Sequence, residues 1–333
     1  MKTLINKDIP IDGWKEFLVN NPHGNPFQSF EFYEFSNSVF GFSAHAISVV
    51  QQKKIIALTV ITIQKEPGLK GFFSRRGIIY GGPLIDEKYP ESSNLLLKEI
   101  HSALGKKVIY IESRNFSDYS GFDDIFSLNG WKFIPYLNIT INLQNKSLSE
   151  VISGMKYNRR REIRISLEMK AKYSECKTEE NLASLFQILR DLYKDQVKLP
   201  LPGYDFFKAL WLSCTGKVFI VKHNDKIIGG SFCLVLQGKA IYTMYYCGLR
   251  NYDKKIYPAH LAVLAAIEHG IKNGLQYLDF MGAGKKGEEY GVRKYKQEFG
   301  GQLNEYGRYI KIQNRFLYIL GKFILKMRKS LQS

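Results

Sequence analysis

The sequence predicts an α/β protein with mixed (α+β) sheets, built as a tandem duplication of one unit. Two stretches carry the repeat: VVQQKKIIALTV at 49–60 and VKHNDKIIGGSF at 221–232. Both place a polar turn, a lysine and an Ile-Ile pair alike, about 170 residues apart, which is a domain length rather than a solenoid period. After each comes the same order: hairpin, strand, helix, strand. The hairpin is antiparallel and the helical crossover gives a parallel pair, so each sheet is mixed. A chain of 333 residues accommodates two such domains.

Residues 1–42 are rich in aromatic side chains, from Trp14 to Phe42. Ser29 is placed to cap a helix starting at Phe30, with Phe30, Tyr33 and Phe40 turned inward. Ala46–Val50 and Ile55–Ile63 form the first hairpin. The second of these runs is too continuously apolar for a solvated face. Gly77–Tyr80 is a strand, a helix over 93–104 stops at Gly105, and Lys107–Glu112 is the next strand. Ser147 and Glu150 have capping-box spacing. The helix beyond them carries Lys156, Arg160 and Arg164 four apart, hence on one face, flanked by Arg159 and Arg161. A helix over 180–194 ends before the prolines of Leu199–Gly203, and Tyr204 opens the next element. The second copy follows: strands Val218–Lys222, Ile227–Leu236 and Ala240–Cys247, a helix over 258–273 stopped by Gly274, and strand Gln276–Phe280. The tail over 314–331 is amphipathic, with Phe316, Leu320, Phe323, Met327 and Leu331 at helical spacing and Arg315, Lys322, Lys326 and Lys329 on another face. Its simplest reading is docking on the second domain. Its sharper one is peripheral contact with an anionic membrane. The expected divisions are 1–145, 146–312 and a basic helix at 313–333.

Composition narrows the class. With 45% hydrophobic and 24% charged residues the chain is globular, not disordered. Its net charge of +17 favours an anionic partner: nucleic acid, a phosphorylated small molecule or an acidic membrane. The 21 Tyr and 22 Phe suit large cores and pockets for sugars, bases or peptides. Cys176, Cys214, Cys233 and Cys247 are widely spaced, with no CxxC or Cys/His cluster, so neither a metal site nor a disulfide framework is expected. Free thiols fit a reducing cytoplasm. The N-terminus lacks a signal peptide's apolar core, and no run reaches the roughly 18 apolar residues of a spanning helix. The expected location is cytoplasmic, membrane-peripheral if the tail meets lipid.

Chemistry concentrates between Leu275 and Gly301. A short strand, Tyr277–Phe280, opens into a loop holding Gly282, Gly284 and Gly287 with Lys285 and Lys286. A basic, aromatic run to Phe299 follows. Strand ends that open into glycine loops are where α/β sheets place ligands, because glycine lets backbone approach closely and lysine supplies charge.

Five motifs then stand in order: Lys156–Arg164 (KYNRRREIR), Asp225–Gly230 (DKIIGG), Tyr245–Gly248 (YYCG), Tyr277–Gly282 (YLDFMG) and Tyr295–Gly300 (YKQEFG). Together they resemble the FemAB-like branch of the GNAT acyltransferase superfamily, most strongly over residues 150–310. The resemblance implies two GNAT-like acyltransferase domains with the acceptor in the cleft between them. Family members transfer an amino acid from aminoacyl-tRNA to the peptide of a peptidoglycan precursor, and wider relatives use acyl-CoA. The implied donor is therefore aminoacyl-tRNA or acyl-CoA, with no tightly bound cofactor and no metal. The long helical arm of some FemA-type members has no counterpart. Two departures stand out. The Arg/Gln-x-x-Gly-x-Gly/Ala loop usual in acyl-CoA enzymes is missing from Gly248–Tyr257. Pro200 stands where some FemX-type enzymes carry an arginine that holds a nucleotide diphosphate.

The implied reaction is attack of an amine on an ester or thioester carbonyl, which needs a deprotonated amine, a stabilised oxyanion and fixed geometry. Lys296 is the first catalytic candidate, as a fixed cation near the transferred carbonyl. Asp279, at the strand end, would accept the amine proton or orient the acceptor. Arg159, Arg160 and Arg164 would hold donor phosphates, Tyr204, Tyr246 and Tyr257 would contact the acceptor, and Lys285 would add charge at the glycine loop. His260 is read as structural. Two alternatives are an acyl-CoA-dependent N-acyltransferase on a small amine or sugar, and a catalytically silent nucleic-acid-binding protein.

Overall fold

The computed structural model describes residues 1–65, 71 and 74–330, without the side chains of 324–330. The chain lays down β1 (Lys2–Ile5), β2 (Phe42–Gln51), β3 (Lys54–Gln64), β4 (Arg76–Gly81), β5 (Leu84–Ile85), β6 (Tyr110–Asn115) and β7 (Lys132–Ile134). Next come β8 (Asn138–Asn142), β9 (Lys172–Glu175), β10 (Gly216–His223), β11 (Lys226–Leu236), β12 (Ala240–Gly248), β13 (Tyr277–Asp279), β14 (Gln302–Asn304) and β15 (Arg308–Ile312). One sheet has the order β1-β2-β3-β4-β6-β15-β7, with β5 beside β3. The other runs β14-β8-β13-β12-β11-β10-β9.

The repeat is visible in the backbone. Both hairpins turn on two left-handed residues, Gln52-Lys53 and Asn224-Asp225, the conformation that matches a two-residue turn to strand twist. Both ladders slip by one residue at the second isoleucine: Val49 pairs with Ala57 and Val50 with Ile55, as Val221 pairs with Gly229 and Lys222 with Ile227. Ile56 and Ile228 are thus matching bulges. In each copy the helix, Ser92–Leu104 or Pro258–Lys272, joins a parallel pair, β4 with β6 or β12 with β13. Two GNAT-like domains in tandem are the architecture.

The divisions fall elsewhere than the sequence placed them. The units are Met1–Pro135 with Glu305–Ser333, and Tyr136–Asn304. The expected divisions at 145 and 312 follow chain order, whereas strand pairing does not. β8 pairs with β13 and β14, and β15 pairs with β6 and β7. Each sheet is completed by a strand adjoining the other copy in sequence. Charge secures β15: Glu112 on β6 accepts from Arg308 Nη1 and Arg114 Nε, both at 2.8 Å. Burial alone would raise the Glu112 pKa, but the two guanidinium groups hold it at about 2.

Within the first unit the aromatic N-terminus is core. Trp14, Phe27, Phe32, Tyr33 and Phe35 are buried. Ser29 Oγ caps its helix by accepting from Phe32 N. Phe40, expected inward, is exposed because the helix Phe30–Ser38 ends before it. The final helix, Arg315–Ser330, belongs to this unit and not to the second domain as expected: Tyr318 meets Tyr110 edge to face at 5.4 Å.

In the second unit the helix Pro258–Lys272 is buried along most of its length against β10, β11 and β12. Ser147 and Glu150 form the capping box, but that helix stops at Gly154 and a new one starts at Tyr157. Lys156 therefore stands at the N-cap of the second helix, its carbonyl accepting from Arg160 N at 3.1 Å, and is not carried by the helix of the capping box. The four cysteines are free thiols. Among the described residues no three metal-ligating side chains gather, and no helix is long and apolar enough to cross a membrane.

Candidate active site at the end of β13

The two units differ where their parallel strands meet. β4 and β6 pair over six residues each, whereas β12 and β13 pair over three. The shorter ladder ends at Tyr242 and Asp279, next to a bulge in β12 at Met244. Bulges re-aim the side chains that follow and often sit beside active sites. Here they precede Tyr245 and Tyr246. The strand β13 then leaves the sheet through Met281 at φ 57° and Gly282 at φ 113°. A left-handed methionine is unfavourable and persists only where its surroundings hold it. Asp279 does so, accepting from Met281 N at 2.6 Å.

Asp279 is fully buried. Its second oxygen accepts from Asn138 Nδ2 at 2.8 Å, and Asn138 Oδ1 accepts from Gly282 N at 2.7 Å. Burial pushes its carboxyl up to about 7, against the opposing pull of Met281 N–H, Asn138 and Lys296. Lys296 lies on the helix Gly291–Gln297 and is 7% exposed. Its Nζ donates to Phe280 O at 2.8 Å and Gly282 O at 2.6 Å, which leaves the third ammonium N–H for another acceptor. Burial lowers its pKa to about 8, opposed by Asp279. An acid raised and a base lowered at one strand end make this cluster the candidate site.

The same helix clamps the glycine loop a second time. Arg293 Nε donates to Ala283 O at 2.7 Å, and Arg293 also bonds Lys285 O. Gly284, at φ 81°, is required because a Cβ would sit 2.8 Å from the Tyr290 ring. Close packing, rather than ligand approach, is what the described geometry shows at this glycine. Lys285 is exposed and pairs with Glu288 at 3.5 Å.

Arg159 has a different place from the one expected. It is 2% exposed, its guanidinium lies 4.5 Å from the centroids of both Tyr295 and Phe299, and Nη2 donates to Glu298 at 2.6 Å. Enclosed and paired, it ties two helices together and is not an open phosphate ligand. Arg160 donates to Ser153 O, and Arg164 is exposed beside Glu168 at 3.7 Å. Of the three arginines expected to hold donor phosphates, Arg159 is enclosed, Arg160 is half-buried and Arg164 is exposed.

Tyr246 stacks on Tyr295 at 5.5 Å, and burial raises its pKa. Tyr257 stacks on His260 at 5.2 Å. Tyr204 instead packs on Phe186 and faces Glu179. His260 joins the site through Glu162, 3.0 Å from Nε2, and Tyr295 Oη, 3.3 Å from Nδ1. Burial, then Arg159, lowers its pKa to about 3, so the ring is neutral at pH 7. With Glu162 ionised, Nε2–H donates to the carboxylate and Nδ1 accepts from the Tyr295 hydroxyl. Glu162 and Tyr295 sit inside motifs legible in the sequence. Asn138 does not: it meets Asp279 from 141 positions away in the chain, with no local signal.

These shifts have a measurable sign. Between its ordinary 3.8 and about 7, Asp279 keeps a proton in the fold that the unfolded chain has lost, so stability falls as pH rises through that window. Between about 8 and 10.5, Lys296 has lost a proton that the unfolded chain keeps, so stability rises with pH there. His260 acts oppositely to Asp279 in acid, since the unfolded chain binds its proton first. The difference in unfolding free energy between wild type and Asp279→Asn is therefore expected to shrink as pH rises from 4 to 7; urea titrations at several pH values measure it, and a constant difference would refute the assignment.

The comparisons agree with this picture. Residues 153–297 match the family model described as acetyltransferase (GNAT) domain. A comparison with curated proteins gives no match. Among solved structures, FemX superposes with a TM-score of 0.74 at 16% identity, covering 96% of this chain and 99% of FemX. The C-terminal domain (DUF2156) of an Agrobacterium fabrum protein described as a lysylphosphatidylglycerol synthetase gives 0.61 at 11% identity, covering 95% of each chain. A tandem GNAT protein from the clavulanic acid biosynthesis pathway gives 0.57 at 8% identity, covering 94% of this chain and 99% of its own. Residues 153–297 are thus a GNAT domain by sequence, and the chain as a whole has the fold seen in FemX.

Proposed function

We propose that the protein transfers an activated acyl or aminoacyl group to an amine, with the reacting carbonyl at the end of β13. The observation that carries this is the Asp279–Lys296 pair, buried where β12 and β13 stop pairing. Lys296 offers its remaining N–H to the oxygen that gains charge as the amine attacks. Held by two carbonyls, it is oriented before reaction, and such preorganised donors are the largest single source of rate. Asp279, titrating near neutrality, holds the loop and influences the charge on Lys296. No covalent intermediate is required, because an amine attacks a bound ester or thioester directly.

The donor is anionic, in keeping with the net charge of +17. The GNAT match favours acyl-CoA. The missing Arg/Gln-x-x-Gly-x-Gly/Ala pattern at Gly248–Tyr257, together with the FemX-like fold, favours aminoacyl-tRNA. The acceptor implied by the resemblance is the peptide of a peptidoglycan precursor. Incubating the protein with acyl-CoA pools and, separately, charged tRNA over a panel of cell-wall precursors and small amines, with mass spectrometry of products, tests the reading. Acyl transfer with either donor supports it and names the donor. Tight RNA binding with no transfer from any donor would replace it with the nucleic-acid-binding alternative.

A further inference from the structure

The helix Arg315–Ser330 has two sides. On one, Tyr318 packs on Tyr110, and Leu317 and Leu320 are half-buried. On the other, Phe316, Ile319 and Phe323 are 74%, 66% and 59% exposed. Spacings of three and four put these three on one face. Arg315 and Lys322 are exposed beside them, and the Lys322 ammonium reaches back to within 4.6 Å of the Tyr318 ring centroid. The 16-residue helix holds Arg315, Lys322, Lys326, Arg328 and Lys329 and no acidic residue.

Two large aromatic rings and an isoleucine in water are unfavourable, so this face suits a partner. Its charge selects which one. A second copy of the chain would bring the same basic helix against itself, and like charges across an interface repel. A lipid bilayer with anionic headgroups meets both needs, because apolar side chains enter the acyl boundary while lysine and arginine remain among the phosphates. We propose that this helix lies in the surface of an anionic membrane, with Phe316, Ile319 and Phe323 inserted and Arg315 and Lys322 at headgroup level. The helix anchors and does not span.

The test uses the full chain and no donor or acceptor, so its outcome is independent of the acyltransfer reading. Co-sedimentation is measured with vesicles of phosphatidylcholine alone and of phosphatidylcholine mixed with phosphatidylglycerol. Binding is expected on the mixed vesicles, about tenfold or more weaker on phosphatidylcholine, and weaker at high salt. Phe316→Ser with Phe323→Ser, and Arg315→Glu with Lys322→Glu, are each expected to lose about tenfold or more. Thermal unfolding of both variants should stay at the wild-type temperature, since the residues changed are exposed. Failure to bind mixed vesicles, equal binding to both vesicle types, or unchanged binding by the phenylalanine variant would overturn the proposal. So would a dimer, seen by sedimentation equilibrium, that the phenylalanine variant dissociates while vesicle binding is absent.

Discussion

Lys296→Met is expected to lower turnover about 10²- to 10³-fold, the usual cost of removing one preorganised donor from a developing oxyanion. Methionine keeps the length and apolar stem of the side chain, so the helix Gly291–Gln297 retains its packing. Two opposing effects act on stability. Phe280 O and Gly282 O lose their donor, which costs about 1–3 kcal/mol for each buried group left unpaired. The burial penalty of the ammonium, evident in its lowered pKa, disappears. Turnover should therefore fall far more than folded fraction does. Single-turnover rates and urea titrations on one preparation check this. If the rate falls only in proportion to the folded population, Lys296 is a strut for the glycine loop and the chemistry lies elsewhere.

Arg159→Ala should have the largest effect on stability, about 3 kcal/mol. The guanidinium fills the space between Tyr295 and Phe299 and neutralises Glu298, with Glu162 at 3.7 Å. Its removal leaves a gap between two rings and two carboxylates without their shared cation. Both carboxylates are partly exposed, so water takes over some of the loss, which keeps the expected cost at the lower end for a broken buried pair. A phosphate-binding arginine would behave otherwise: KM for the donor would rise and the unfolding midpoint would stay. Measuring both on Arg159→Ala separates the two roles. Arg164→Ala, on an exposed side chain, is the control that should leave stability within about 0.5 kcal/mol.

Arg159 also shows where sequence reasoning reaches its limit. Helical spacing picked out a run of cationic residues, but periodicity gives only the face, not what that face meets. Neighbouring arginines at 159, 160 and 164 end up enclosed, half-buried and exposed. The YKQEFG motif was legible as a unit, yet only packing reveals that Tyr295, Glu298 and Phe299 all serve Arg159 while Lys296 alone turns to the loop. His260, read as structural at its helix start, stacks on Tyr257 in its own segment. Its polar partners, Glu162 and Tyr295, come from two other helices.

By itself the sequence determined the mixed α/β class, the duplication, the two hairpins with their matching Ile-Ile pairs, and the glycine loop after β13 that holds the candidate site. These follow from local rules: strand and helix periodicity, turn residues and glycine stops act over a few positions. Only the tertiary structure decided that β8 and β15 complete sheets outside their own copy, that β12 and β13 part after three residues each, and that Asn138 meets Asp279. Strand exchange and buried polar pairing depend on hydrogen-bond partners more than a hundred residues apart, and nothing in a local stretch of sequence records which distant edge will satisfy them.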